Sequence, residues 1–302
     1  MEEKKRKKVV QKKYTYIISC ILICCIGVGI MIFFSGSPIK VNQESISKEE
    51  FKLFVNNQKS YIESTYRAKI ESNLDNNKFW SYEIEGTTPK KELIKRASEL
   101  AIRAKVIQLW AQEEGIIKDI SYDKFYKEWE SKKSNLNSNS IWEYYTYEQD
   151  KMKTKIKEIL KKEVIEEEKL KDYYNENLDN YKKTDTIKGI LTIWEDGRAI
   201  SSIEVEISHD TTRLMTEANE ELANNLLGLS EGETTTWGDK DDKKYQLLCT
   251  LRKDGGYMEF DEVIQAVKAQ YVDELFEKQI IERTSKLNIK YNNILLNQNN
   301  IL

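Results

Sequence analysis

Histidine is almost missing from this sequence: His209 is the only one in 302 residues. It sits beside Asp210, which invites a general-base reading, but no serine or cysteine partner is recognisable, and a lone histidine near a turn reads as a surface residue. His209, Asp210 and Cys249 lack any ligand spacing, so no metal is expected, and no glycine-rich phosphate cradle occurs, so no nucleotide cofactor is expected either. Proline and glycine are scarce, at two and twelve, and this argues against a loop-rich β fold and for long amphipathic helices. Of four cysteines, Cys20, Cys24 and Cys25 fall in one apolar segment, leaving Cys249 alone and excluding an intramolecular disulfide framework. The three read as small apolar residues, with palmitoylation or an interchain bridge as alternatives. No strong basic excess exists: the formal charge is −3, which gives no reason to expect nucleic acid as a partner.

What is present begins with a membrane signal. From Tyr14 to Phe34 no charged side chain occurs, a length that crosses a hydrocarbon core of about 30 Å. Before it, residues 1–13 carry Lys4, Lys5, Arg6, Lys7, Lys8, Lys12 and Lys13; within the next fifteen residues after it come only Lys40 and Lys48. The positive-inside bias predicts a single-pass protein with a cytoplasmic tail and an extracytoplasmic C-terminal domain, touching the lipid bilayer through Tyr14 to Phe34. A retained signal anchor is favoured over a cleaved signal peptide, because Pro38 follows the nearest small-residue site, Ser35-Gly36-Ser37, and the apolar run exceeds a signal h-region.

Beyond the anchor lie roughly 265 residues, enough for one large or two ordinary domains. Charged residues make up 33%, consistent with helices whose outer faces are solvated. Val41 to Ile46 reads as extended, and Ser47-Lys48-Glu49-Glu50 has the form of a capping box, with Glu50 reaching back. The helix it opens carries Phe51, Phe54, Val55 and Tyr61 to about Leu74. Thr88-Pro89 opens another, with Leu93, Ala97, Leu100, Ala104, Ile107 and Ala111 at helical spacing, ended by Gly115. A helix after Ser121 holds Phe125 and Trp129. A long charged helix is predicted from about Trp142 to Asn177, with Met152, Ile156, Ile159, Leu160 and Val164 on one face.

After Tyr181 the pattern changes. Thr186 to Trp194 and Ile203 to Ile207 read as strands around an Asp196-Gly197 turn, and Tyr245 to Leu251 as a third. A short helix, Thr216 to Leu227, comes before that third strand. A last helix from Phe260 to about Leu287 would bury Val263, Val267, Tyr271, Leu275 and Ile280. A terminal helix cannot bury its stripe alone, so it is expected to pack back on the first helical group. The fold class is α+β, mostly α.

This layout resembles the extracytoplasmic foldases of the PrsA/SurA type, which join a helical chaperone domain to a parvulin-like prolyl isomerase domain. The similar pieces are Val41 to Phe51, Leu93 to Ile116, Leu170-Lys171-Asp172-Tyr173-Tyr174-Asn175-Glu176-Asn177, Leu229 to Glu233, and Phe260-Asp261-Glu262-Val263 through Leu287-Asn288-Ile289. The resemblance implies a helical chaperone domain at 39–181, a parvulin-like α+β domain at 182–256, a C-terminal helix at 257–291 packing back on the chaperone domain, and a polar tail at 292–302. It implies unfolded secreted or cell-envelope polypeptides as partners.

Catalysed turning of an X-Pro bond must lower a barrier of about 18–20 kcal/mol, and parvulins do so in a pocket with two histidines. Where the family reads HIL, this sequence has Gly189-Ile190-Leu191; where the family reads GYHI, it has Tyr245-Gln246-Leu247. The resemblance therefore places Gly189 and Gln246 at the histidine positions and implies a degenerate domain with no confident catalytic residue. Met215, Leu222, Leu229 and Tyr245, with Trp110 and Trp142, are the candidate peptide-binding residues, and core packing is the alternative use of the aromatic ones. Three readings stand: a chaperone with isomerase activity lost, an active isomerase with an atypical site, and a membrane-anchored assembly protein with one fixed partner.

Overall fold

A computed structural model of the protein describes residues 36–70, 75–135, 140–163, 166–238 and 243–297. The predicted anchor Tyr14–Phe34, its cysteines and the basic tail lie outside these residues. Among the described residues, no helix is long and apolar enough to cross a membrane. The fold is mostly helical α+β with two small sheets, and the described chain forms two compact units, one running to Leu160 and resuming at Glu274, the other Lys161–Asp273.

The first unit opens with β1 (Ile39–Val41) and β2 (Glu44–Ile46), an antiparallel hairpin turned by Asn42 in the left-handed region that asparagine tolerates. Ser47 caps α1 (Lys48–Arg67), its Oγ accepting from the Glu50 N–H at 3.0 Å. The other half of the predicted box does not form. Glu50 sits on the same stripe as Phe51, Phe54 and Val55, so its side chain turns inward. The helix stops at Arg67, short of the predicted Leu74, which lies outside the described residues. After α2 (Asn76–Ser81), Thr88 and Pro89 begin α3 (Pro89–Glu113), which packs along α1. Leu93, Ala97, Ala101, Ile107 and Ala111 are buried in it, each large one contributing about 1.5–3 kcal/mol. Next come α4 (Tyr122–Lys132), capped by Ser121, and α5 (Ile141–Lys162).

The single helix predicted from Trp142 to Asn177 is two, α5 and α6 (Glu167–Glu176); Val164, expected on its buried face, is outside the described residues. In the second unit α6 sets Leu170 against Tyr181, Val263 and Val267. The sheet follows: β3 (Thr186–Glu195) and β4 (Arg198–Ile207) form a hairpin turned by Asp196 and Gly197, both at positive φ as a two-residue turn requires. The predicted helix Thr216 to Leu227 is broken at Asn219, which caps the second of two pieces, α7 (Thr212–Ala218) and α8 (Glu220–Gly228). A strand that periodicity did not reveal, β5 (Thr234–Gly238), pairs with β6 (Lys244–Lys253), giving an antiparallel sheet of order β4-β3-β6-β5.

The last helix, α9 (Phe260–Ser285), serves both units, and its buried face shifts accordingly. Val263 and Val267, with Tyr271 half-buried beside them, belong to the Leu170 cluster. Farther on, Phe276 and Ile280 are buried in the first unit, where Leu275 was expected instead of Phe276. The stripe therefore does not run at one constant phase. Strand β7 (Ile289–Tyr291) then pairs with β1, opposing Ile289 to Val41 and Tyr291 to Ile39, and α10 (Asn293–Leu296) buries Leu295 and Leu296.

Candidate functional site

The two positions where the resemblance expects histidines do not converge. Gly189 stands opposite Cys249, and Leu191 opposite Leu247, all on the sheet face covered by α8. Gln246 alternates with Leu247 and so points the other way, opposite Thr192 and Thr236, into a hollow shared with Trp194 and Lys244. Gly189 also has no room for a side chain. A Cβ there would lie 2.9 Å from Leu226 Cδ1 and 2.9 Å from the Leu248 carbonyl oxygen.

Met215, Leu222, Leu229 and Tyr245 are brought together, in the core between the helices and the sheet: Leu222 and Leu229 are buried with Ile187, Ile207 and Leu226, while Met215 and Tyr245 close its margin. Tyr245 stacks on Trp237 with centroids 5.5 Å apart. Arg252 seals the end of this layer, donating to Asp185 at 2.9 Å and to the Leu229 carbonyl at 2.6 Å; that guanidinium holds the Asp185 carboxyl below its ordinary pKa. His209 accepts at Nδ1 from the Thr184 N–H at 3.4 Å, an exposed contact. Cys249 is a buried free thiol, and no cluster among the described residues could hold a metal ion.

The other two candidates lie in the helical unit. Trp110 is core: its ring stacks on Phe276 at 5.4 Å and the Arg283 guanidinium lies over it, 4.4 Å from the centroid. Trp142 is half-buried, meeting Phe54 edge-on at 5.4 Å and lying parallel to Tyr145 at 6.1 Å. Beside Tyr145 opens the most elaborate polar feature among the described residues.

There α1, α3, α4, α5 and the 116–121 loop enclose a cleft of about 300 Å³. At its back Glu50 pairs with Lys105, Oε1 to Nζ 3.2 Å, with side chains only 2% and 1% exposed. The Tyr145 hydroxyl donates to Glu50 Oε1 at 3.1 Å and accepts from Gln108 Nε2 at 3.2 Å; Lys105 Nζ donates to the Ile120 carbonyl at 3.3 Å. Burial, then the Glu50 charge, hold the Tyr145 phenol well above its usual pKa, and the same two causes push Tyr122 at the cleft wall to about 12. The network is incomplete. Glu50 Oε2, Gln108 Oε1 and both amide atoms of Gln149 are buried without a hydrogen-bond partner. The Gln149 amide lies near enough to the Tyr145 hydroxyl to favour its ionised form, but without the geometry of a hydrogen bond.

With this geometry established, comparison with known proteins gives the following. No family model matches the chain, and no curated protein matches it. Solved structures do. One SurA-like chaperone of Campylobacter jejuni, from a study of PEB4 and Cj1289, is 17% identical with a TM-score of 0.32, covering 85% of this chain and 99% of its own. The foldase protein PrsA of Streptococcus pneumoniae is 12% identical at a TM-score of 0.25, over 84% and 94%. PrsA of Lactococcus lactis is 10% identical at 0.27, over 85% and 95%.

Sequence reasoning read Glu50 only as part of a helix cap and passed over Lys105, Gln108 and Gln149. A signal was there. Lys105 and Gln108 interrupt the otherwise apolar run Ala104 to Ala111, and Gln149 stands between Tyr145 and Met152 at the spacing of a buried stripe. A polar residue at a core position marks either a partner or a site.

Proposed function

We propose that this chain is a membrane-anchored extracytoplasmic chaperone that holds unfolded secreted or cell-envelope polypeptides non-covalently, and that its sheet domain no longer turns prolyl bonds. The observation that carries the chaperone reading is the order of the chain: helices, an α+β unit, then a returning helix whose strand β7 joins β1. That order corresponds, piece by piece, to the motifs that resemble the PrsA/SurA foldases. Loss of catalysis is supported by Gly189 and Gln246. They face opposite sides of the sheet, and the first of them admits no imidazole. A pocket that desolvates and distorts an imide needs its polar groups aimed at one point, and these two positions cannot supply that.

The test is made on the full-length chain in lipid nanodiscs, with one unfolded substrate whose refolding is limited by proline and which aggregates on dilution. Suppressed aggregation with no acceleration of refolding is expected. Acceleration would return the sheet domain to the enzymes, and absence of both effects, with tight binding of a single envelope protein, would favour the fixed-partner reading.

A further inference from the structure

The start of the first unit is tied to its other end. In the sequence the apolar run stops at Phe34 and β1 starts at Ile39, so five peptide links, at most about 18 Å of extended chain, separate them. Ile39 pairs with Tyr291 of β7, and the Asn292 N–H donates to the Pro38 carbonyl at 2.9 Å. An anchored chain therefore keeps Ile39 within that reach of the bilayer, with β7 and α10 beside it.

The side chains at this place are cationic and partly apolar. Lys40 and Lys290 stand directly opposite each other on β1 and β7, both exposed, and neither has an ion-pair partner among the described residues. Like charges so placed destabilise a strand pair unless something anionic lies against them. The strands supply no acid for this. Leu287 to Asn297 contains none, and Glu44, the single one from Gly36 to Ile46, pairs with the buried Val41 on the other face of the sheet. Tyr291 and Ile294 are 51% and 53% exposed, although Leu295 and Leu296 beside them fix α10 by burial. A tyrosine, an exposed isoleucine and lysines on long stems are side chains that settle at a lipid interface. An acidic protein would answer the lysines too, but the short tether holds a lipid surface near them at high effective concentration. We infer that Lys40, Lys290, Tyr291 and Ile294 form a docking surface for the headgroup layer of an anionic bilayer, so that the first unit lies against the membrane instead of swinging on its tether. The inference rests on the anchored part of the proposed function for the nearness of lipid, and on these side chains for the contact.

The experiment measures acetylation of individual lysines by an N-hydroxysuccinimide ester, resolved by mass spectrometry, on the full-length chain in nanodiscs. One set of discs is phosphatidylcholine, the other equal parts phosphatidylcholine and phosphatidylglycerol. Lys40 and Lys290 are expected to react about fivefold more slowly in the anionic discs, and salt at about 1 M to remove the difference. Tyr291→Ser with Ile294→Ser is expected to abolish most of that protection, because apolar burial and charge together hold a surface on a membrane. Equal rates in the two lipids overturn the inference, whether both lysines react freely or both are covered, as a second copy of the chain would cover them. Undiminished protection in the double variant overturns it as well, since nearness without docking would suffice. Inorganic phosphate protecting the lysines in phosphatidylcholine discs as well as phosphatidylglycerol does overturns the assignment to lipid. If the double variant does not fold, the lipid comparison on the unaltered chain still decides. A chain that does not enter nanodiscs overturns the anchored reading and this inference with it; a chain that enters them and shows equal rates overturns this inference alone.

Discussion

The two units bury their interiors by opposite rules. Between sheet and helices, Ile187, Leu191, Ile207, Leu226 and Leu247 close an apolar layer whose one notable constraint is steric, the absence of a side chain at Gly189. In the helical unit the interior holds an ion pair, a phenol and two glutamines, and some of their atoms find no partner. The apolar layer gains simply from area removed from water. The polar one gains little net stability, because desolvating the ions offsets most of their attraction, but it fixes where each group points. The difference separates an interior closed by apolar area from one that holds buried charge.

The sharpest way to break this contrast is at Lys105. Replacing it with methionine leaves Glu50 buried without its counter-ion, and a loss of about 3–5 kcal/mol is expected. The double variant Glu50→Gln with Lys105→Met should recover most of that. Urea unfolding followed by circular dichroism measures both. If single and double variants were equally unstable, packing rather than charge would govern the site.

A smaller effect is expected in the sheet. Gly189→Ala puts a methyl 2.9 Å from both Leu226 and the Leu248 carbonyl, overpacking that should cost about 1–3 kcal/mol. Gly189→His with Gln246→His, the pair that would restore the family pattern, should destabilise more and gain no isomerase activity. Prolyl isomerisation by that double variant would show that the sheet rearranges to bring the two faces together.

Alkali should separate the units further. Burial raises Tyr145 well above its ordinary value and Tyr122 to about 12, so each favours the folded state while it keeps its proton. Unfolded tyrosines titrate near 10. The stabilising contribution is thus complete below about pH 10 and lost as pH rises above it, when unfolding releases protons that the folded state retains. Tyr181 in the other unit is raised by burial as well. The helical unit, with two such phenols around Glu50, is expected to lose more. Absorbance titration of tyrosine, compared with circular dichroism, checks this; normal titration of every tyrosine in the folded chain would refute it.

Much of this was legible in the residues, and the failures have physical causes. The caps at Ser47, Thr88 and Ser121 are local hydrogen bonds, so short motifs reveal them. The break between α5 and α6 is not local in that sense, because the lysine- and glutamate-rich stretch there has no punctuating glycine or proline. Strand β5, Thr-Thr-Thr-Trp-Gly, is too short for period-two alternation to register, and only pairing with β6 defines it. The shift of face along α9 arises because one helix serves two interiors, a tertiary fact that a single-stripe reading cannot contain. Glu50 is the most instructive case. Its position three residues after Ser47 fits a capping box, and only the presence of Lys105 and Tyr145 opposite it decides that the carboxylate turns inward.

The same chemistry placed at the surface completes the comparison. Lys188 and Glu206 sit opposite each other on β3 and β4 with Nζ to Oε2 at 3.0 Å, slightly closer than Lys105 and Glu50, yet their side chains are 49% and 51% exposed. Water already solvates both charges, so neither suffers when the other is removed, and holding two long side chains together costs entropy that offsets the attraction. Lys188→Ala should therefore shift the urea midpoint by less than the equivalent of about 1 kcal/mol, and added salt should erase even that. A loss comparable to that of Lys105→Met would mean that contact distance, not burial, sets the worth of an ion pair in this protein.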